Sequence, residues 1–229
     1  MLVEIKSVTN AAVEYLRTLI VTGSLKANQK IIENDLASAL GISRLPIREA
    51  FRILETEHLV VSIPRRGTFV SAVSMEDLSG LSQVREMVEL YAIDIFKTKK
   101  IKKLPLVEAA IEKASRLPTP LEGNSDEILQ YHVAFSGFHT KLVESAENYR
   151  ITHFYKAICP SLTRYQILYL FFPGSRERSL QSHRQILSNI AMGEYDEAKN
   201  FLMSHIRQTT EILKENIRQN EAKIQDRDG

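Results

Sequence analysis

Apolar residues recur at helical spacing over residues 9–22, where Val13, Leu16, Leu19 and Ile20 share one face and Gly23 stands where a left-handed residue ends a helix. A second short helix carries Leu36, Ala37 and Leu40 on one side and stops at Gly41. The tight turn Gly41-Ile42-Ser43 follows, with Ser43 placed as the N-cap of a third helix running from residue 44 to about 57. Pro46 fits the first turn of that helix, where its missing N–H would have no partner anyway. Within it Ile47, Ala50, Phe51 and Leu54 fall on one face, and Arg44, Arg48 and Arg52 fall on another.

The period then changes. Leu59-Val60-Val61-Ser62-Ile63 and Thr68-Phe69-Val70 read as two short strands around the basic tip Pro64-Arg65-Arg66-Gly67. From Ser74 onward the helical period returns and persists. Ser74-Met75-Glu76-Asp77 has the form of a capping box, opening a helix that carries Leu78, Leu81, Val84, Val88 and Tyr91. Further helices are expected over residues 104–115, 124–144, 149–171, 176–192 and 196–219, with Pro160 kinking or splitting the third of these. The expected fold is mainly α, with an N-terminal winged helix-turn-helix over residues 1–73. An all-α helical bundle follows over 74–229.

Composition adds little until it is divided at that boundary. The formal charge of the 229-residue chain is +2, but nine basic residues face seven acidic ones up to Val73, against twenty-one of each beyond it. The excess lies in the helix-turn-helix segment, where a short helix with cations at its N-terminal end suits docking in a DNA major groove. Ser43, Arg44, Arg48 and Arg52 are the candidate DNA contacts on that helix. Arg65 and Arg66 at the wing tip suit phosphates or a minor groove, and Gly67 permits close backbone approach. A lone arginine stripe is more often a solvated helix face; the basic wing beside it favours recognition of double-stranded DNA. One cysteine, Cys159, excludes an intrachain disulfide framework, and no apolar run reaches the length of a membrane span, so a cytoplasmic protein with no membrane partner is expected.

Three histidines stand on apolar faces of separate helices of the second part: His139, His183 and His205. An inward histidine is usually a satisfied core residue, yet three from different helices of one bundle can converge as imidazole ligands of a divalent metal. His132 lies two helical turns before His139 and is too far along the axis to join them.

The segment from Ile20 to Val70 resembles the DNA-binding domain of GntR-family regulators. The residues that carry the resemblance are Leu36-Ala37, Gly41-Ile42-Ser43-Arg44, Pro46-Ile47-Arg48-Glu49-Ala50, Leu54-Glu55 and Pro64-Arg65-Arg66-Gly67. It departs at Leu45, where that family usually has a small hydroxyl residue, a change that alters base preference. Residues 74 to 216 are similar to the FadR-type C-terminal domain of the family, in Phe138-His139, Leu180-x-x-His183 and Ala198-x-x-x-x-Met203-x-His205. The resemblance implies metal ligation by an aspartate and three histidines. His139, His183 and His205 match the histidines, but Phe135 replaces the aspartate. Two arrangements then remain open: a three-histidine zinc or nickel site completed by water or effector oxygens, or histidines that bind an organic acid directly. The metal is the expectation taken forward. Arg85, on the family's first long helix, either clamps an effector carboxylate or pairs on the surface with Glu89; Asn148 is a further effector-binding candidate.

The expected function is a ligand-responsive transcriptional repressor that binds a two-fold operator as a homodimer and is released by a small carboxylate. The competing class is a metal-dependent hydrolase built on the three histidines. Against it, the chain has no H-E-x-x-H, no nucleophile elbow and no phosphate-cradling glycine loop.

Overall fold

The computed structural model describes residues 7–121 and 123–228, with side chains as far as residue 219. These residues form two compact units that divide between Val73 and Ser74. The first holds α1 (Val8–Val21), β1 (Lys30–Ile31), α2 (Glu33–Leu40), α3 (Arg44–Thr56), β2 (Val60–Ile63) and β3 (Gly67–Val70). Helix α1 packs on α3, and Leu16 and Ile20 of the one and Ile47 and Leu54 of the other, with Leu59, are essentially inaccessible to water. Each such side chain is worth roughly 1.5–3 kcal/mol of burial, so the apolar face read from the sequence is what fixes α3 on α1. Gly41 ends α2 in the left-handed conformation, with its N–H bonded to Ala37 and Ser38 carbonyls. Ser43 does occupy the N-cap of α3, but its hydroxyl makes no capping bond.

The sheet differs from the expected two-stranded wing. Its order is β1-β3-β2, antiparallel throughout, with Lys30 opposite Phe69 on one side of β3 and Val61 opposite Phe69 on the other. A two-residue strand has no period to read, which is why β1 left no trace in the sequence pattern.

The second unit is all helix: α4 (Met75–Lys99), α5 (Pro105–Arg116), α6 (Ser125–Glu144), α7 (Tyr149–Leu170), α8 (Ser175–Met192) and α9 (Tyr195–Asp228). Ser74 caps α4 by accepting from the Asp77 N–H at 3.0 Å. Asp77 does not close the box, because its carboxylate accepts from the Tyr165 hydroxyl at 2.7 Å instead. Pro160 lies inside a continuous α7 rather than splitting it, and α9 runs beyond its expected end. Phe96, Phe138, Leu142, Ile186, Ile190 and Leu202, drawn from α4, α6, α8 and α9, anchor the core. No helix among the described residues is long and apolar enough to cross a membrane.

Candidate functional site

On the first unit, Ser43, Arg44, Arg48 and Arg52 are all exposed along the outer face of α3. Each guanidinium has a neighbour. Arg48 Nε donates to Glu33 Oε2 at 2.8 Å, Arg52 Nη1 to Glu49 Oε1 at 3.0 Å, and Arg44 Nη1 to Asn34 Oδ1 at 3.5 Å. Exposed pairs of this kind contribute about 0–1 kcal/mol, so a phosphate or a guanine edge can take the guanidinium over at small cost. Leu45, between them, is 68% exposed.

At the wing tip Arg66 N–H closes a turn onto Ile63 O at 3.0 Å, with Pro64 leading and Arg65 held at φ +64°. That position normally takes glycine or asparagine, so the tip carries local strain while it presents the Arg65 side chain. Gly67 is at φ +106°, and a Cβ there would lie 3.1 Å from Lys30 Cε. Lys30 therefore brings from β1 a third cation to the two arginines of the wing. Nothing local in the sequence marks it; only the pairing of β1 with β3 does.

In the second unit the three histidines do converge. His139 comes from α6, His183 from α8 and His205 from α9, all buried, and one ligand atom from each lies within 4.8 Å of the others. His139 Nε2 is 3.2 Å from His183 Nε2. Two nitrogens bound to one tetrahedral zinc at ~2.0–2.1 Å stand ~3.3 Å apart, so the spacing suits a shared ion.

Behind them lies a network that sequence reading reached only in part. Glu89, on α4 and wholly buried, accepts from His139 Nδ1 at 2.7 Å, from Arg85 Nε at 2.7 Å and from the Tyr155 hydroxyl at 2.7 Å. Arg85 does pair with Glu89, one turn away on the same helix, but in the interior and not on the surface. Its Nη2 also reaches His139 Nε2 at 2.6 Å. The sequence names Glu89 only as a surface partner one turn after Arg85, and not as the buried carboxylate behind His139; Tyr155, one of several tyrosines on its helix, carries no signal at all.

Together Arg85, His132, Phe135, His139, His183 and His205 line a small cavity of about 40 Å³. His132 is occupied elsewhere, with Nε2 2.8 Å from Gln166 Oε1. Phe135 turns an apolar ring to the cavity and supplies no donor. Asn148, expected to bind effector, lies away from this lining; its Oδ1 accepts from the N–H groups of Arg150 and Ile151 and caps α7. A helix start has unpaired N–H groups, and an asparagine there satisfies them.

Burial would raise the Glu89 carboxyl, but the Arg85 guanidinium and His139 outweigh it and hold the group well below the carboxylate range. Burial lowers His139, and the Arg85 charge adds to the effect. His183 and His205 are driven well below the ordinary 6.5, by burial first and then by neighbouring histidines and Arg85. The Cys159 thiol is pushed up to about 11 by burial and donates to Tyr155 O. The imidazoles are thus neutral, as ligands must be. Glu89 accepts a hydrogen bond from His139 Nδ1–H and so leaves the lone pair on Nε2, as carboxylates behind metal-bound histidines do. These residues fit a three-nitrogen donor set without a carboxylate, on condition that Arg85 Nη2 moves off His139 Nε2.

Neutral buried histidines set a sign for acid stability. Below pH 6.5 the unfolded chain takes up protons that the folded chain refuses, so folding stability falls as pH falls. With a chelator present, the urea midpoint of the second unit is expected to be lower at pH 5.5 than at pH 7.5; equal midpoints would refute it.

Residues 8–70 match the family described as "Bacterial regulatory proteins, gntR family", and residues 81–208 match the FCD domain. The chain is 25% identical over 201 residues to an uncharacterized HTH-type transcriptional regulator of Bacillus subtilis (strain 168), YdhC, covering 87% of this chain and 88% of that one. It is 30% identical over 90 residues to the gluconate operon transcriptional repressor of the same strain, across 39% of this chain and 37% of that one. Among solved structures, a transcriptional regulator GntR from Rhodococcus sp. RHA1 superposes with a TM-score of 0.73 at 23% identity, covering 91% of this chain and 98% of that one.

Proposed function

The chain belongs to the GntR family of DNA-binding transcriptional regulators, with an FCD domain behind its helix-turn-helix, and is not an enzyme; from that premise we propose that it is an effector-released repressor acting as a homodimer. A single short recognition helix makes few base contacts, and two heads related by a two-fold axis match two half-sites. The repressor reading is supported by the gluconate operon repressor among its relatives. Arg44 and Arg48 read the major groove, with Ser43 and Arg52 on the flanking phosphates, while Arg65, Arg66 and Gly67 carry the wing to the backbone or minor groove. Leu45, exposed between Arg44 and Pro46, offers apolar contact where the family has a hydroxyl, and a thymine methyl is its complement.

The observation that carries the effector half is the buried cavity lined by His139, His183, His205 and Arg85. With Glu89 balancing its charge, the Arg85 guanidinium and the imidazole N–H groups serve as hydrogen-bond donors, the complement of a small carboxylate. His139, His183 and His205 would hold a zinc or nickel ion there, which when bound supplies a positive centre for the anion's oxygens. The cavity is far below the ~300–1,000 Å³ of typical ligand pockets, so an organic acid has to enlarge it. That difference between closed and enlarged forms is the differential affinity through which an effector shifts the placement of two DNA-binding heads.

The test is a mobility shift against the gene's own upstream region. Binding should weaken steeply as salt rises, because phosphate contacts release counterions, and small carboxylates should release the complex. A chain that binds no promoter-proximal fragment at low salt overturns the repressor reading; carboxylate-insensitive binding overturns the effector class alone.

A further inference from the structure

The lone pair on His139 Nε2 is a single resource, and the structure gives it two suitors. Glu89 fixes the tautomer, since its carboxylate can only accept and so the proton sits on Nδ1. Nε2 is then the ligand atom that a metal needs. Yet Arg85 Nη2, a group that can only donate, lies 2.6 Å from it. A guanidinium N–H and a metal ion cannot both lie along one lone pair. We propose that Arg85 is the resident cation of this pocket and competes with a divalent metal for His139, so that metal loading requires Arg85 to leave. This rests on the reading of the three histidines as metal-competent.

His183 Nε2 lies 3.2 Å from the same atom, but the nearer Arg85 Nη2 already engages the one lone pair of His139 Nε2. His183 Nδ1 is buried without a hydrogen-bond partner, so the protein pins neither tautomer of this ring. The arrangement around His139 is therefore built for a guanidinium.

Phe135 fits this account: it lines the same cavity and supplies no carboxylate to offset a dication, while the Arg85 charge is already neutralised by Glu89. Once displaced, Arg85 keeps Glu89 as a partner through Nε and frees Nη2 for an anion in the cavity. Metal and carboxylate then reinforce one another, because each favours the state with Arg85 off His139.

The experiment measures Zn²⁺ affinity of the chelator-stripped full chain by competition with a chromophoric chelator, and Co²⁺ binding by its visible spectrum. Four proteins are compared: wild type, Arg85→Met, the charge-neutral pair Arg85→Met with Glu89→Gln, and that pair with His183→Ala. The glutamine keeps a carbonyl that accepts from His139 Nδ1, so the double variant stays informative if Arg85→Met alone fails to fold. Losing a charge-assisted competitor should tighten Zn²⁺ binding by at least about tenfold, with a nitrogen-ligated Co²⁺ spectrum that His183→Ala abolishes. Binding equal to or weaker than wild type overturns the competition but leaves the metal site standing. No binding by any variant overturns the metal site and the proposal with it.

Discussion

Replacing Glu89 with glutamine is expected to cost about 3–5 kcal/mol of folding stability, the usual penalty for breaking a buried ion pair from one side. The carboxylate is wholly buried and receives three donors, and Arg85 beside it is 5% exposed. Glutamine preserves the shape and one acceptor but leaves the guanidinium without a counter-charge in a place water does not reach. Adding Arg85→Met to Glu89→Gln should return much of the loss, because a neutral pair of similar volume avoids desolvating either charge. Urea unfolding of the two single variants and the double would show this as a large coupling energy. A cost below about 1 kcal/mol for Glu89→Gln, the range of an exposed pair, would mean that the pair is solvated.

Arg48→Ala is expected to weaken operator binding by about 1–3 kcal/mol with the fold intact. Two effects add. The duplex loses a bidentate donor, and Glu33, which Arg48 holds at 2.8 Å, is left as a bare carboxylate facing phosphates. Glu33→Gln should therefore bind at least as tightly as wild type. Fluorescence anisotropy over a salt series separates the roles of Arg48. If its guanidinium sits on a phosphate, the alanine variant has a salt slope smaller by about 1; if it reads a base edge, the slope is unchanged and preference relaxes at one position. Unchanged affinity removes Arg48 from the interface.

What sequence patterning reached, it reached through period. The apolar face of α3 and the long helices of the bundle repeat often enough to be read, and the three histidines were found because each breaks an apolar face. Lys30 and Glu89 had no such mark. Lys30 belongs to a strand too short to have a period, and its place by the wing is created by pairing thirty-nine residues away in sequence with Phe69. Glu89 is one acidic residue among many on charged helices, and its burial follows from how α4 meets α6 and α7. Side-chain pattern shows which way a residue faces; it does not show who waits on the other side.

Leu45 stands apart from the cations around it in one respect. Attraction between arginine and phosphate fades as ions crowd the duplex, whereas removal of apolar surface from water does not. With α3 docked in the major groove as proposed, a leucine 68% exposed at its first turn would give this head a component of sequence preference that does not rest on charge. As salt rises, the protein should let go of DNA in general faster than it loses its ability to tell a methylated pyrimidine edge from an unmethylated one.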